Sequence, residues 1–308
     1  MKTHEHSTDA ATAAEPARPG VAAAAHAAPD PDAAHAARDA VHGGRDAVPG
    51  SGHGALRDAA LRTAGDAGER APHAAAHDAI PDARDDVAID VTTEGLPGWL
   101  DPVARAARTV EPQQLSRFLP PESGAGRQSA VLVLFGEGER GPELLLMERA
   151  GSLRSHPGQP SFPGGSLDPA DGDQATTGPL RAALREAEEE TGLDPRGVQI
   201  FGVLPRLYIP VSSFVVTPVL GWWRSPSPVG VVDPAETARV FTVPVADLTD
   251  PANRVTTHHP SGHRGPAFLV ESALVWGFTA GVIDRILHFA GWERPWDRAK
   301  QVPLDWRA

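Results

Sequence analysis

Hydrophobic and polar residues fall into structured blocks only from about Gly95 onward. Leu96–Val110 (LPGWLDPVARAARTV) places apolar residues at helical spacing, with Pro102 at a first turn, and predicts a short amphipathic helix. Ser129–Glu137 (SAVLVLFGE) is an apolar, β-branched run that reads as a buried strand. A Gly-rich turn, Gly136-Glu137-Gly138, leads through Glu139-Arg140-Gly141 into a second strand, Glu143–Arg149 (ELLLMER). After a long Gly/Pro/Asp loop, Pro179–Thr191 has helical periodicity. Strands follow at Val198–Leu207 (VQIFGVLPRL) and Phe214–Trp223 (FVVTPVLGWW), and Ala273–Ala290 (ALVWGFTAGVIDRILHFA) reads as one long helix. Strands and helices mix without regular βαβ alternation, which predicts an α+β architecture with a mixed sheet rather than a doubly wound fold.

Composition divides the chain at the same place. Residues 1–90 hold 29 alanines and 8 of the 13 histidines but no Phe, Trp or Tyr, with 8 basic against 15 acidic residues. So few large apolar groups cannot bury enough surface to offset ordering entropy, so 1–90 is expected to be a disordered tail and 91–308 the folded domain. The whole chain carries a formal charge of −12, which argues against general nucleic-acid binding, since phosphate demands positive charge. There are no cysteines, so disulfides, thiolate metal sites and a Cys nucleophile are excluded. No apolar run reaches membrane-span length, Val21–Ala28 lacks the Leu-rich core of a signal peptide, and a cytoplasmic location with no membrane partner is expected. Trp292, Trp296 and Trp306 stand in a polar C-terminal stretch and point to a self-association surface, hence a homodimer.

The chemistry concentrates in Phe162–Leu193. Thr177 or Gly178 can cap the helix, Pro179 suits its first position, and Gly192 suits its end. Leu180, Ala183, Leu184 and Ala187 form one apolar stripe. Glu186, Glu189 and Glu190 stand at i, i+3 and i+4 and share another, while Glu188 points to solvent. Carboxylates so placed repel one another and weaken a bare helix. A divalent cation removes that cost, and hard oxygen donors suit Mg²⁺ or Mn²⁺. Arg185 can pair with a carboxylate and hold its rotamer. Upstream, Gly164-Gly165 lets backbone approach a ligand or metal closely.

Gly165 followed by Arg185-Glu186-Ala187-Glu188-Glu189-Glu190-Thr191-Gly192-Leu193 resembles the signature of the Nudix hydrolases. Two features depart from it. Asp171 stands where the signature has its early glutamate, and thirteen residues, Gly172–Leu184, make a spacer longer than the usual one. Leu144–Gly165 (LLLMERAGSLRSHPGQPSFPGG) further resembles the segment that marks the coenzyme A pyrophosphatase branch, with matches at Leu144, Leu145, Arg149, Leu153, His156, Gly158, Gln159, Phe162, Pro163, Gly164 and Gly165. The resemblance implies a Nudix-type α/β/α sandwich and metal-dependent hydrolysis of a diphosphate. It implies Glu186, Glu190 and Glu189 as metal ligands, Glu189 as base or base-side ligand, and Arg185 as a further catalytic residue. For coenzyme A the products are 3′,5′-ADP and 4′-phosphopantetheine, and Arg149, His156, Gln159, Phe162, Gly164 and Gly165 are the implied substrate contacts, with Arg154 a further cation for the 3′-phosphate. Glu236 is an alternative base from a distant loop. Two other readings stand beside this one: a Nudix enzyme acting on ADP-ribose or another nucleoside diphosphate derivative, and a Nudix module that binds a nucleotide without cleaving it.

Overall fold

The computed structural model describes residues 89–153, 157–258, 262 and 264–304; the expected tail, apart from its last two residues, lies outside them, as do Arg154, His156 and Trp306. In chain order the elements are α1 (Asp101–Thr109), α2 (Pro112–Leu115), β1 (Arg127–Gly138), β2 (Gly141–Arg149), β3 (Pro160–Ser161), β4 (Gly164–Ser166), α3 (Gly178–Thr191), β5 (Val198–Val203), β6 (Leu207–Ile209), β7 (Phe214–Trp223), β8 (Thr237–Pro244), α4 (Val245–Thr249), β9 (Arg254–His258), β10 (Arg264–Val270), β11 (Ala273–Val275), α5 (Gly277–Phe289) and β12 (Gln301–Pro303).

The main sheet is mixed. β1 runs parallel to β7, from Arg127 opposite Phe214 to Phe135 opposite Trp222, while β2, β5, β6 and β8 join it through antiparallel pairs. β1 and β2 pair only near their hairpin, Phe135–Gly138 against Gly141–Leu144. Further along, β4 takes the edge of β1 and β3 the edge of β2. Period-two alternation sorts the two faces. Ala130, Leu132, Leu134 and Leu145 pack with Leu180, Ala183 and Ala187 of α3. Val133, Phe135, Leu144 and Leu146 pack with Leu100 and Val103 near α1, Ile283 and Leu287 of α5, and Phe268 of the second sheet, whose order is β11-β10-β9-β12. The result is the expected α/β/α sandwich about a mixed sheet.

Several sequence expectations shift. The helix expected over Ala273–Ala290 begins at Gly277, because Ala273–Val275 pairs with β10 as a strand. The strand expected over Val198–Leu207 breaks after Val203 and resumes as β6 at Leu207. Trp292 packs beside the core with its ring centroid 6.2 Å from that of Trp99, and Trp296 stacks on Arg254; both indoles are half-buried. Arg254 itself is fully buried, paired with Asp284 of α5 and set against the Phe268 ring, which ties the second sheet to α5. Among the described residues no helix is long and apolar enough to cross a membrane.

Candidate active site

The splayed ends of β1 and β2 create the site. β4 runs beside β1, with Val131 opposite Gly164 and Ala130 opposite Gly165, and α3 crosses above this edge. Pro179 occupies the first turn of α3, and Gly192, at φ +71°, ends it by donating to the Glu188 carbonyl at 2.9 Å. Leu180, Ala182, Ala183 and Ala187 are buried, with Leu184 at the margin of the same cluster. That seating turns Glu186 and Glu190 toward β4. Glu189 is the exposed carboxylate of the three, and Glu188, expected in solvent, is half-buried.

Backbone and carboxylates meet closely here. The Gly164 N–H donates to Glu190 Oε2 at 2.9 Å. Gly164 sits at φ +155°, and a Cβ there would lie 2.4 Å from the Ala130 carbonyl oxygen. A Cβ on Gly165 would lie 2.4 Å from the Glu186 carboxyl carbon. Gly164 is therefore a steric requirement of the β1 backbone beside it, and Gly165 one of the Glu186 carboxylate. Gly165→Ala is expected to push the flexible Glu186 carboxylate aside and weaken Mg²⁺ affinity about 10–100-fold while the fold persists. Calorimetric Mg²⁺ titration checks this, and unchanged affinity refutes the contact.

Arg185 organises the acids. Its guanidinium donates through Nε and Nη2 to the two oxygens of Asp171, each at 3.0 Å, through Nη1 to Glu186 Oε1 at 2.9 Å and Glu189 Oε2 at 3.1 Å, and through Nη2 to the Ser166 carbonyl at 3.2 Å. The bond to Asp171 raises the Arg185 pKa further still. Asp171 is buried at 4% exposure, and its Oδ2 also accepts from the Asp168 N–H at 2.7 Å. The loop acid thus aligns the arginine of α3 despite its shorter side chain and the long spacer.

Burial raises the pKa of both inward glutamates: upward for Glu186, and up to about 7 for Glu190, where the nearby Glu186 and Glu236 charges add to burial while Gly164 and Arg149 oppose it. Two half-buried carboxylates, with the charge of Glu186 adding to the rise at Glu190, form a hard-oxygen donor pair. Among the described residues no three acidic or histidine side chains converge on one point that could hold a metal by themselves. A pair still fits Mg²⁺ or Mn²⁺, because Mg²⁺ is commonly held by one or two carboxylates with phosphate oxygens and water completing its shell. Glu186 and Glu190 fit this role; Glu189 is drawn toward Arg185.

The expected substrate contacts divide. Arg149 lies at the end of β2, close enough to lower the Glu190 pKa. Its N–H donates to the Gln159 carbonyl at 3.1 Å, and its carbonyl accepts from the Gly158 N–H at 3.0 Å, closing the intervening loop. Phe162 is corrected: at 2% exposure it packs in the core on the α1/α5 side and is not a substrate wall. Glu236, flagged from sequence, comes near Glu190, and its carbonyl accepts from the Ala150 N–H at 2.8 Å. A separate cleft of about 410 Å³, lined by Trp99, Pro142, Trp292 and Arg294 among others, contains none of these acids.

Residues 126–260 match the family model described as NUDIX domain. A protein of Enterobacter sp. (strain 638) named "Uncharacterized Nudix hydrolase NudL" is 38% identical over 175 residues, covering 52% of this chain and 81% of that protein. One of the same name from Cronobacter sakazakii is 39% identical over 167 residues, again with 52% and 81% covered. Among solved structures, RenU, a Nudix hydrolase from M. smegmatis, is 18% identical, with 59% of this chain and 98% of that chain covered at a TM-score of 0.39.

Proposed function

Since the chain belongs to the Nudix hydrolase family, we propose that its substrate is coenzyme A or an acyl derivative, whose diphosphate is hydrolysed to 3′,5′-ADP and 4′-phosphopantetheine or its acyl form. The observation that supports this reading is the placement of two described parts of Leu144–Gly165. Its Arg149 and its Gly164-Gly165 both act on the inward glutamates of α3, so these parts of the segment that resembles the coenzyme A branch border the candidate site.

Glu186 and Glu190 hold Mg²⁺ or Mn²⁺. The cation, when bound, supplies charge neutralisation to the diphosphate and a nucleophile at neutral pH. Gly164 orients Glu190 through its N–H, and Gly165 leaves room for Glu186. Arg185, backed by Asp171, sets the rotamers of Glu186 and Glu189. Arg149 offers a cation to a substrate phosphate. Glu236 is the alternative to Glu189 as proton acceptor: Glu189 is bonded to Arg185, whereas Glu236 comes near Glu190 and has no ion pair among the described residues. Glu236→Gln is expected to lower turnover about 10²–10⁴-fold with folding intact, the range of general-base loss; near-normal turnover sinks the role.

The substrate is tested by incubating the protein and Mg²⁺ or Mn²⁺ with coenzyme A, ADP-ribose, NADH and diadenosine polyphosphates, with Glu190→Gln as control. Release of 3′,5′-ADP that is lost in the variant supports the reading. Cleavage of another substrate alone overturns coenzyme A and keeps the metal site, and cleavage of none favours a ligand-binding module.

A further inference from the structure

Thr237, the first residue of β8, is fully buried, and its hydroxyl has no hydrogen-bond partner among the described residues. The buried Nε of Arg149 shares that condition. The two residues face each other. β2 and β8 pair in register from Glu143 opposite Pro244 to Glu148 opposite Arg239; then a bulge skips Ala238 and sets Arg149 opposite Thr237. Opposed residues of an antiparallel pair project to one face with their Cβ atoms about 5 Å apart. For Arg149 that face is the α3 side, where its charge acts on Glu190. Backbone bonds pin both sides of the pair: Thr237 N–H to the Asp233 carbonyl at 2.9 Å, and Ala150 N–H to the Glu236 carbonyl at 2.8 Å.

Two buried polar atoms left unpaired are costly, and folded proteins satisfy such groups with ordered water when two or more polar atoms can share it. Bulges beside active sites serve to re-aim side chains. We propose that one ordered water accepts from Arg149 Nε–H and donates to Thr237 Oγ1, and that through it Thr237 positions the Arg149 guanidinium beside Glu190. Thr237 is a positioning residue, since its hydroxyl is too buried to touch substrate. The proposal rests on the reading of Arg149 as a contact to a substrate phosphate.

Thr237→Val and Thr237→Ser, each alone and combined with Arg149→Ala, are compared by steady-state kinetics with Mg²⁺ and coenzyme A, or ADP-ribose if that is the substrate turned over, and by thermal unfolding. Thr237→Val is expected to raise KM about five- to tenfold, the worth of one hydrogen bond, with kcat within about twofold of wild type. Thr237→Ser restores KM, and Thr237→Val adds nothing in the Arg149→Ala background. Unchanged KM with an equal or higher Tm overturns the proposal, because the hydroxyl is then a dry orphan whose removal is a relief. A KM effect that adds to that of Arg149→Ala overturns it too. If Arg149→Ala itself leaves KM unchanged, the reading of Arg149 has failed, and the link is decided by a high-resolution crystal structure: water within hydrogen-bond distance of both atoms upholds it, and a dry gap overturns it.

Discussion

Glu190→Gln is expected to lower turnover on the order of 10³-fold and, in the absence of divalent metal, to stabilise the protein above neutral pH. The first effect removes one of the two half-buried oxygen donors proposed for the cation, and a fall on the order of 10³-fold in kcat/KM follows from losing electrophilic catalysis. The second follows from burial. The Glu190 carboxyl is raised to about 7 from 4.5, so between those values the folded state holds a proton that the unfolded chain releases. Stability of the metal-free protein therefore falls as pH rises through that window, and above about pH 7 the full penalty, on the order of 3 kcal/mol, is present. Glutamine carries no such charge, so in EDTA at pH 8 its Tm lies above that of the wild type, while at pH 5 the two converge. Mg²⁺ restores the wild type by neutralising the carboxylate and leaves the variant nearly unmoved. Because the proton competes with the metal, Mg²⁺ affinity weakens about tenfold per unit below pH 7. Thermal melts in EDTA and in Mg²⁺ across pH 5–8 decide it. A wild-type profile in EDTA no steeper than that of Glu190→Gln would overturn the electrostatic account, and an active variant would overturn the metal role.

The second large effect is expected from Arg185→Ala. The guanidinium is the cation that joins Asp171, Glu186 and Glu189, and Asp171 is buried at 4% exposure. Removing it leaves a buried carboxylate whose remaining partner is the Asp168 N–H, with no cation, which costs about 3–5 kcal/mol. In a domain of this size that lowers Tm by roughly 10 °C. Glu186 and Glu189 lose their tether as well, and misplaced metal ligands lower kcat about 100-fold. Arg185→Lys is expected to rescue little, since an ammonium cannot reproduce the paired Nε and Nη2 bonds to Asp171. Asp171→Asn in the Arg185→Ala background recovers stability without recovering activity, because it removes the stranded charge and leaves Glu186 free. Equal Tm values for wild type and Arg185→Ala would show that this cluster contributes nothing to stability.

The two sets of expectations draw on different parts of the chain's information. Local periodicity determined α3 to within one residue at its start and at Thr191 for its end, and the shared stripe of Glu186, Glu189 and Glu190, because helical geometry depends only on neighbours three and four positions apart. The same holds for β7, whose span Phe214–Trp223 was legible as an unbroken apolar run. The resemblance of Gly165 and Arg185–Leu193 to a family signature made the chemistry legible before any contact was known. Other features depend on partners distant in sequence. Ala273–Val275 carries an apolar pattern that suits a helix equally well, and its pairing with β10 makes it a strand. Phe162, separated from the glycine pair only by Pro163, turns into the core on the α1/α5 side, a placement set by its packing partners there and not by any local period. Asp171 reaches Arg185 because a short 3₁₀ turn, Pro169–Asp171, folds the loop back on the helix, and no spacing rule along the chain encodes that return. The sequence by itself determined which residues could do chemistry and on which helix they stand. Only the tertiary structure decided which carboxylates are buried, which one Arg185 shares, and that Glu236 and Thr237 stand near Glu190 and Arg149, because burial and strand register arise from pairings across the fold.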